Sequence, residues 1–353
     1  MERALFLAER GRGRTSPNPM VGAVVVSPDG IVVGQGAHAR AGEAHAEVIA
    51  LDAAGSEARG ATLYCTLEPC CHVGRTGPCV ERIVVAGVSK VVAAMPDPNP
   101  LVSGGGFAYL REHGVVVEAG DGAAAAQRLN APFVTWITHR RPYVIVKTAV
   151  SADGFVGRPG ERVALTGAVA NRYFHRERAE IDAIAVGANT VIADDPQLTA
   201  RLAYRDRPLT RVVIDWRLRV PASATVFSTT SRGPVIMVVS RRAAESRPEH
   251  VQILRDAGAE IEVLDARDLG EILRRLAVRN VLSLLVEGGP ALQSAFLDAG
   301  LVDRIQWIRT PVRLKSGIEA FPFLPAGDVR CAASREVVLG ADVLTECDVH
   351  RID

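Results

Sequence analysis

The hydrophobic pattern divides this chain into two successive stretches of alternating strands and helices. In the first, Val21 to Val26 is a β-branched run, Pro28-Asp29-Gly30 a turn, and Ile31 to Val33 the start of a second strand, together a hairpin. A helix is expected from His45 to Ala54, a strand from Ala61 to Leu67 and a helix from Val80 to Ala86. Strand Val91 to Ala94, helix Phe107 to His113 and a short strand Val115 to Val117 follow, and Ala123 to Ile137 reads as a closing helix. Arg140-Arg141-Pro142 interrupts the pattern and sets a domain boundary after residue 142. Beyond it, strands are expected at Tyr143 to Thr148, Ile184 to Val186, Arg211 to Ile214, Val235 to Val239, Ile261 to Leu264 and Leu282 to Val286. Helices fall near Val169 to Glu180, Val251 to Ala257, Leu269 to Ala277 and Ala291 to Ala299. Such alternation implies layered α/β domains, a three-layer one over 1–142 and a second over 143–353.

A chain of 353 residues suits two domains, and 48% hydrophobic residues can fill two cores. The formal charge of +1 gives no pull toward nucleic acid or anionic membrane, and 5% aromatic residues offer few stacking platforms. Met1 to Arg14, with Glu2 and Glu9 among its apolar residues, reads as an amphipathic helix and not a signal peptide, and no apolar run is long enough to span a bilayer. Six cysteines in a chain of this size are no disulfide framework and suit a reducing compartment. These features predict a cytoplasmic protein that acts on small molecules, with no nucleic-acid or membrane partner. They leave assembly into a homo-oligomer open.

The chemistry concentrates in His45-Ala46-Glu47, Glu68-Pro69-Cys70 and Cys79. One neutral imidazole and two thiolates form a three-ligand set for zinc, with the fourth position left to water, as in catalytic sites. Glu47 lies beside the metal without serving as a ligand, because two ligands on one helix face are three or four residues apart. A carboxylate there can take a proton from water and hand it to a leaving amine. The order His-x-Glu, Pro-Cys, Cys is the signature of zinc nucleobase deaminases. Their usual thiol spacing is Cys-x2-Cys, whereas eight residues separate Cys70 from Cys79. Cys71 adjoins Cys70, points elsewhere and is read as a bystander. His72 to Pro78 is read as a loop over the pocket, with Pro78 and Cys79 opening the next helix.

A second candidate lies late in the chain, where the strand Leu282 to Val286 runs into Glu287-Gly288-Gly289-Pro290 and a helix. Glycines allow close backbone approach, Pro290 suits a first helical turn, and free amides at a helix start face a phosphate. By itself the turn is either an ordinary strand-to-helix connection or an anion site. Nothing matches the Gly-x-Gly-x-x-Gly fingerprint after a first strand, and Gly104-Gly105-Gly106 is only a glycine cluster.

The run Thr66-Leu67-Glu68-Pro69-Cys70-Cys71-His72-Val73-Gly74-Arg75-Thr76-Gly77-Pro78-Cys79 closely resembles a motif of the bifunctional riboflavin-biosynthesis deaminase–reductases. Pro17-Asn18-Pro19-Met20-Val21-Gly22, Gly36 to Glu47 and Asp97-Pro98-Asn99-Pro100 are similar too, as are Lys147 to Gly154, Ala193-Asp194-Asp195-Pro196 and Val286 to Pro290. The resemblance implies an N-terminal cytidine-deaminase-like zinc domain and a C-terminal dihydrofolate-reductase-like α/β domain that uses NADPH. It also implies phosphorylated pyrimidine substrates. In the first half, Asn18, His38, His72, Arg75 and Thr76 are substrate candidates, with His38 and His72 equally readable as surface residues. In the second, the resemblance implies cofactor contacts from Ala149, Thr190, Asp194, Gly289, Pro290, Ala291, Leu292, Gln293, Ser294 and Ala295. Substrate contacts are implied for Lys147, Arg178, Leu198, Arg201 and Glu287. Asp153-Gly154 is either a structural turn or a catalytic element.

Two positions depart from the family. Arg162 stands where a serine is expected at the substrate, and Ala164 where a tryptophan borders the nicotinamide. The segment Thr310 to Gly317 also differs. A competing reading is therefore a monofunctional zinc deaminase, of nucleotides or nucleic-acid bases, with a non-catalytic second domain.

Overall fold

In the first of two units, Met1–Arg141, the β-branched run forms β1 (Gly22–Val26). It pairs antiparallel with β2 (Val32–Ala37) and β3 (Thr62–Cys65). Strands β4 (Lys90–Ala93) and β5 (Val116–Ala119) continue in parallel, giving the order β2-β1-β3-β4-β5. Parallel neighbours need crossovers, and these are the helices formed by Cys79–Val85 and Gly105–Glu112. The description covers residues 1–353 of a computed structural model except 73–76, 101, 162, 206, 321–328 and 352–353.

Alternation along β1 builds the layers. Ala23 and Val25 enter a core with Ala46, Ala50, Leu51 and Ala54 of a helix, while Val24 packs on the opposite face with Ala4 and Leu7. The helices are α1 (Glu2–Ala8) and α2 (Ala46–Ala54), with α3 (Cys79–Val85) and α4 (Gly105–Glu112) following. Helix α2 sits hard against β2 because a Cβ on Gly34 or Gly36 would overlap the carbonyl oxygens of Ala50 or Ala46. The sheet thereby fixes the first turn of α2. The expected closing helix is two, α5 (Ala123–Leu129) and α6 (Ala131–His139). The break is at Asn130, whose side chain bonds both N–H and C=O of Met20, and Pro132 lacks the N–H needed to carry a helix through.

Among the described residues, the second unit, Pro142–Asp353, has seven parallel strands. They are β6 (Tyr143–Val150), β8 (Ala183–Gly187), β9 (Thr210–Ile214), β10 (Val235–Ser240), β11 (Ala259–Leu264), β12 (Ser283–Val286) and β13 (Arg304–Arg309). An antiparallel pair, β15 (Val329–Leu339) and β16 (Asp342–Arg351), completes the order β11-β10-β9-β8-β12-β6-β13-β16-β15. A separate ribbon joins β7 (Phe155–Gly157) and β14 (Ile318–Glu319). Helices α7 (Ala168–Glu180), α8 (Ala188–Asp194), α9 (Arg241–Ser246), α10 (Pro248–Asp256), α11 (Leu269–Val278) and α12 (Pro290–Asp298) connect the strands. Strands β8, β10 and β12 are apolar apart from Ser240 and Ser283 at strand ends and are buried on both faces, as parallel strands are. Cys331 and Cys347 are joined as a disulfide between β15 and β16.

Candidate active sites

His45 is the N-cap of α2, in extended conformation, so its ring leaves the helix while Glu47 lies in the first turn. The chain then crosses the sheet in β3, passes Glu68-Pro69-Cys70 beyond the strand end, and re-enters a helix at Cys79. These turns bring three side chains together: His45 Nδ1 is 3.2 Å from Cys79 Sγ and 3.5 Å from Cys70 Sγ. All three donor atoms lie within 4.8 Å of one another. The Cys79 backbone N–H donates to the Cys70 sulfur at 3.3 Å. Hydrogen bonds from Cys79 and His45 pull the Cys70 thiol down to about 4, and the bond with Cys70 together with burial pushes Cys79 up. Cys71 stands outside this cluster, against Gly105.

Glu47 is 4% exposed, and its Oε2 has no hydrogen-bond partner. Burial raises its carboxyl to about 7. An unpartnered carboxylate oxygen beside two sulfurs and an imidazole suits a site built for a cation and the water it carries. A sulfur-rich, three-ligand set of this kind fits zinc.

Glu68 is the residue that sequence reasoning undervalued. Its buried carboxylate accepts N–H groups from Asp97 at 3.1 Å, Gly104 at 3.0 Å and Phe107 at 3.1 Å. It thus ties the loop before Cys70 to the Asp97-Pro98-Asn99-Pro100 turn and to the start of α4. Position 106 must be glycine for this approach, because a Cβ there would overlap the Pro69 carbonyl. The Glu-Pro-Cys motif was a visible signal for Glu68, but its partners lie about 30 to 40 residues later in sequence.

Of the substrate candidates, His38 is 2% exposed and its ring meets that of His45 edge-on at 5.4 Å. Its Nδ1–H donates to the Ala44 carbonyl at 3.1 Å, which leaves Nε2 to accept from Asn18 Nδ2 at 3.1 Å. Burial lowers its pKa. Asn130 holds the adjoining loop through Met20. His72 is exposed, and Arg75 and Thr76 lie outside the described residues.

The second unit carries an open cleft of about 2040 Å³ along the C-terminal ends of its parallel strands. There β12 turns through Gly288 and Gly289 into α12, and Pro290 occupies the first turn. Glu287, which lines the cleft, pairs with Arg178 of α7 behind it through two bonds, Nε to Oε1 at 3.0 Å and Nη2 to Oε2, with side-chain exposures of 17% for Arg178 and 8% for Glu287. The ion pair with Arg178 and the nearby Lys147 hold the buried Glu287 carboxyl down at about 2. The Lys147 ammonium lies 4.7 Å over the Phe174 ring, and burial lowers its pKa.

Residues 1–95 match the family model for the cytidine and deoxycytidylate deaminase zinc-binding region, and residues 142–317 match the RibD C-terminal domain. The riboflavin biosynthesis protein RibD of Aquifex aeolicus is 41% identical over 319 residues, covering 90% of this chain and 88% of that protein. That of Escherichia coli is 40% identical over 336 residues, covering 92% and 90%. The chain belongs to the RibD family. Acinetobacter baumannii RibD superposes with a TM-score of 0.87 at 36% identity, over 99% of this chain and 98% of that one. A Thermotoga maritima structure superposes with a TM-score of 0.85 at 32% identity, over 100% and 97%. The latter is described as a diaminohydroxyphosphoribosylaminopyrimidine deaminase/5-amino-6-(5-phosphoribosylamino)uracil reductase.

As a RibD, the chain is a bifunctional riboflavin-biosynthesis enzyme, a zinc deaminase and an NADPH reductase with cytidine-deaminase-like and dihydrofolate-reductase-like domains. Of the RibD cofactor positions inferred from sequence, Ala149, Thr190, Asp194, Gly289, Pro290, Ala291, Leu292, Gln293 and Ala295 line the cleft, and Ser294 does not. Lys147, Arg201 and Glu287 line it as well, together with Ala164, whereas Arg178 and Leu198 do not. Arg178 is therefore no solvated helix residue but the half-buried partner of Glu287. Arg162 lies outside the described residues. Asp153 resolves as a turn: its carboxylate accepts from Ser151 Oγ at 2.7 Å and from the N–H groups of Leu314 and Lys315 at 3.1 and 2.7 Å. His175, unremarked in the sequence, lines the cleft and accepts the Arg201 N–H at 3.2 Å. Among the described residues no helix is long and apolar enough to cross a membrane.

Proposed function

We propose that the first unit hydrolyses the 2-amino group of 2,5-diamino-6-ribosylamino-4(3H)-pyrimidinone 5′-phosphate, and that the second reduces the ribosyl group of the product to ribityl. The observation that carries this reading is the pairing, in one chain, of a buried unpartnered carboxylate at a His-Cys-Cys cluster with a separate open cleft at a glycine-rich strand-to-helix turn. His45, Cys70 and Cys79 would hold zinc, which when bound supplies a Lewis acid that activates water. Glu47 accepts a proton and returns it to the departing amine, a double duty suited to a carboxyl raised to about 7. Asn18, His38 and His72 orient the pyrimidine, with His38 held as one tautomer by the Ala44 carbonyl.

In the second unit NADPH supplies the hydride, and the protein contributes binding and orientation. Backbone amides at Gly288, Gly289 and the start of α12 receive the cofactor phosphates. Lys147, Arg201 and Glu287, the last held in place by Arg178, form the polar wall that faces the sugar phosphate. The chain acts in the cytoplasm on a small phosphorylated pyrimidine and not on nucleic acid, in keeping with its charge of +1.

The test is mass spectrometry of products from the diaminopyrimidine substrate, with and without NADPH. Without NADPH a single exchange of amino for oxo is expected, and with it two further hydrogens. An untouched amino group would overturn the first half, and an unreduced ribosyl product with NADPH present would overturn the second.

A further inference from the structure

The cleft of the second unit continues past the phosphate turn to the ends of β9 and β11, where Trp216, Arg217 and Arg267 line it. Resting on the reading of this unit as an NADPH reductase, we propose that Arg217 and Arg267 clamp the 2′-phosphate of the cofactor and select NADPH over NADH.

Register puts the two arginines within reach of one ligand. Val213, Met237 and Ile261 lie level across β9, β10 and β11. The Trp216 carbonyl, just beyond β9, accepts the Ser240 hydroxyl at the end of β10 at 2.7 Å. Two strand spacings separate β9 from β11, about 10 Å. Extended arginine side chains from both sides of that gap can meet on a single phosphate. Both residues are exposed, and neither has an ion-pair partner among the described residues.

The acids nearby are already spent. Asp268 caps α11 through the Glu271 N–H at 3.0 Å and pairs with Arg274 at 3.3 Å. Asp215 is 1% exposed and accepts the backbone N–H groups of Arg217, Arg219 and Val220. An NADH site commonly presents a carboxylate to the ribose 2′-hydroxyl. Here the carboxylate at the end of β9 is turned inward to shape the loop. Arg219 is engaged too, donating to Asn189 Oδ1 at 2.7 Å. What remains facing the cleft is a pair of planar guanidinium forks, the geometry that matches phosphate.

Calorimetric titration of the full chain with NADPH, NADH and 2′,5′-ADP tests this, comparing the natural protein with Arg217→Ala/Arg267→Ala. The double variant should bind NADPH and 2′,5′-ADP about 10- to 100-fold more weakly, with NADH changed by no more than about twofold. The salt dependence of NADPH affinity should flatten as well. Arg217→Lys/Arg267→Lys, which keeps the charge but not the fork, should recover part of the loss. Equal weakening of NADPH and NADH, or no weakening of either, would overturn the assignment. A natural protein that binds no NADPH at all would overturn the reductase reading together with it.

Discussion

Glu47 and Glu68 are both buried acids of the two zinc-site motifs, yet their surroundings are opposite. Glu68 accepts three backbone N–H groups, whereas Glu47 keeps one oxygen without a partner. A buried polar atom left unpaired costs about 1–3 kcal/mol, so Glu47 is placed for chemistry and Glu68 for architecture. Glu47→Gln should keep its zinc, measured by metal analysis, and lose deamination by roughly 10²–10⁴-fold or more. Glu68→Gln puts an amide N–H₂ among amide donors and should destabilise the first unit by about 1–3 kcal/mol in chemical denaturation. Unchanged stability would refute the architectural role. Cys79→Ser should lose metal while Cys71→Ser keeps it; the reverse result would show that the wrong second thiolate was chosen. The convergence of His45, Cys70 and Cys79 was legible because motif types and their order survive a lengthened loop. The work of Glu68 and Asn130 was not, since it depends on partners brought near only by folding.

At the scale of elements, buried apolar runs announced themselves and mixed ones did not. Strands β8, β10 and β12 are nearly continuous apolar runs, interrupted only at their ends, because helices cover both faces. Strand β13 escaped notice because Gln306 sits in its middle, fully buried and bonded to Glu177 and Glu346 of neighbouring elements. The hairpin of β15 and β16 was missed for a similar reason, with Arg335, Glu336, Glu346 and Asp348 interleaved among its apolar residues. Helix α7 is tied to the end of β12 by Arg178 and Glu287, and this link makes a prediction about pH. The Glu287 carboxyl is lowered from 4.5 to about 2 on folding. A depressed carboxyl stabilises the fold above its unfolded value, and that contribution fades as pH falls from about 4.5 toward 2. The depression corresponds to roughly 3 kcal/mol at neutral pH. The Glu287→Gln variant should therefore denature more readily than the natural protein, most so at pH 7, with the gap closing in acid. A gap that persists unchanged at low pH would show that the ion pair is not its source.

For the molecule as a whole, Ala164, where the family resemblance implies a tryptophan, bears on how firmly the second unit holds its cofactor. Ala164 lines the cleft, and so do the phosphate turn, Thr190, Asp194 and the polar wall of Lys147 and Glu287. Losing an aromatic neighbour removes packing surface from the nicotinamide side but none of these groups. That weakens cofactor binding more readily than it abolishes hydride transfer, which belongs to the cofactor. The two chemistries also draw on different residues, so silencing one should spare the other. Glu47→Gln supplied with the already deaminated pyrimidine should oxidise NADPH at close to the natural rate, followed by loss of absorbance. Zinc chelation of the natural protein should likewise abolish deamination and leave that oxidation in place, provided the first unit's metal serves only the first step. Folded Glu47→Gln that oxidises no NADPH, at saturating cofactor and pyrimidine, would leave a deaminase joined to an inert second domain.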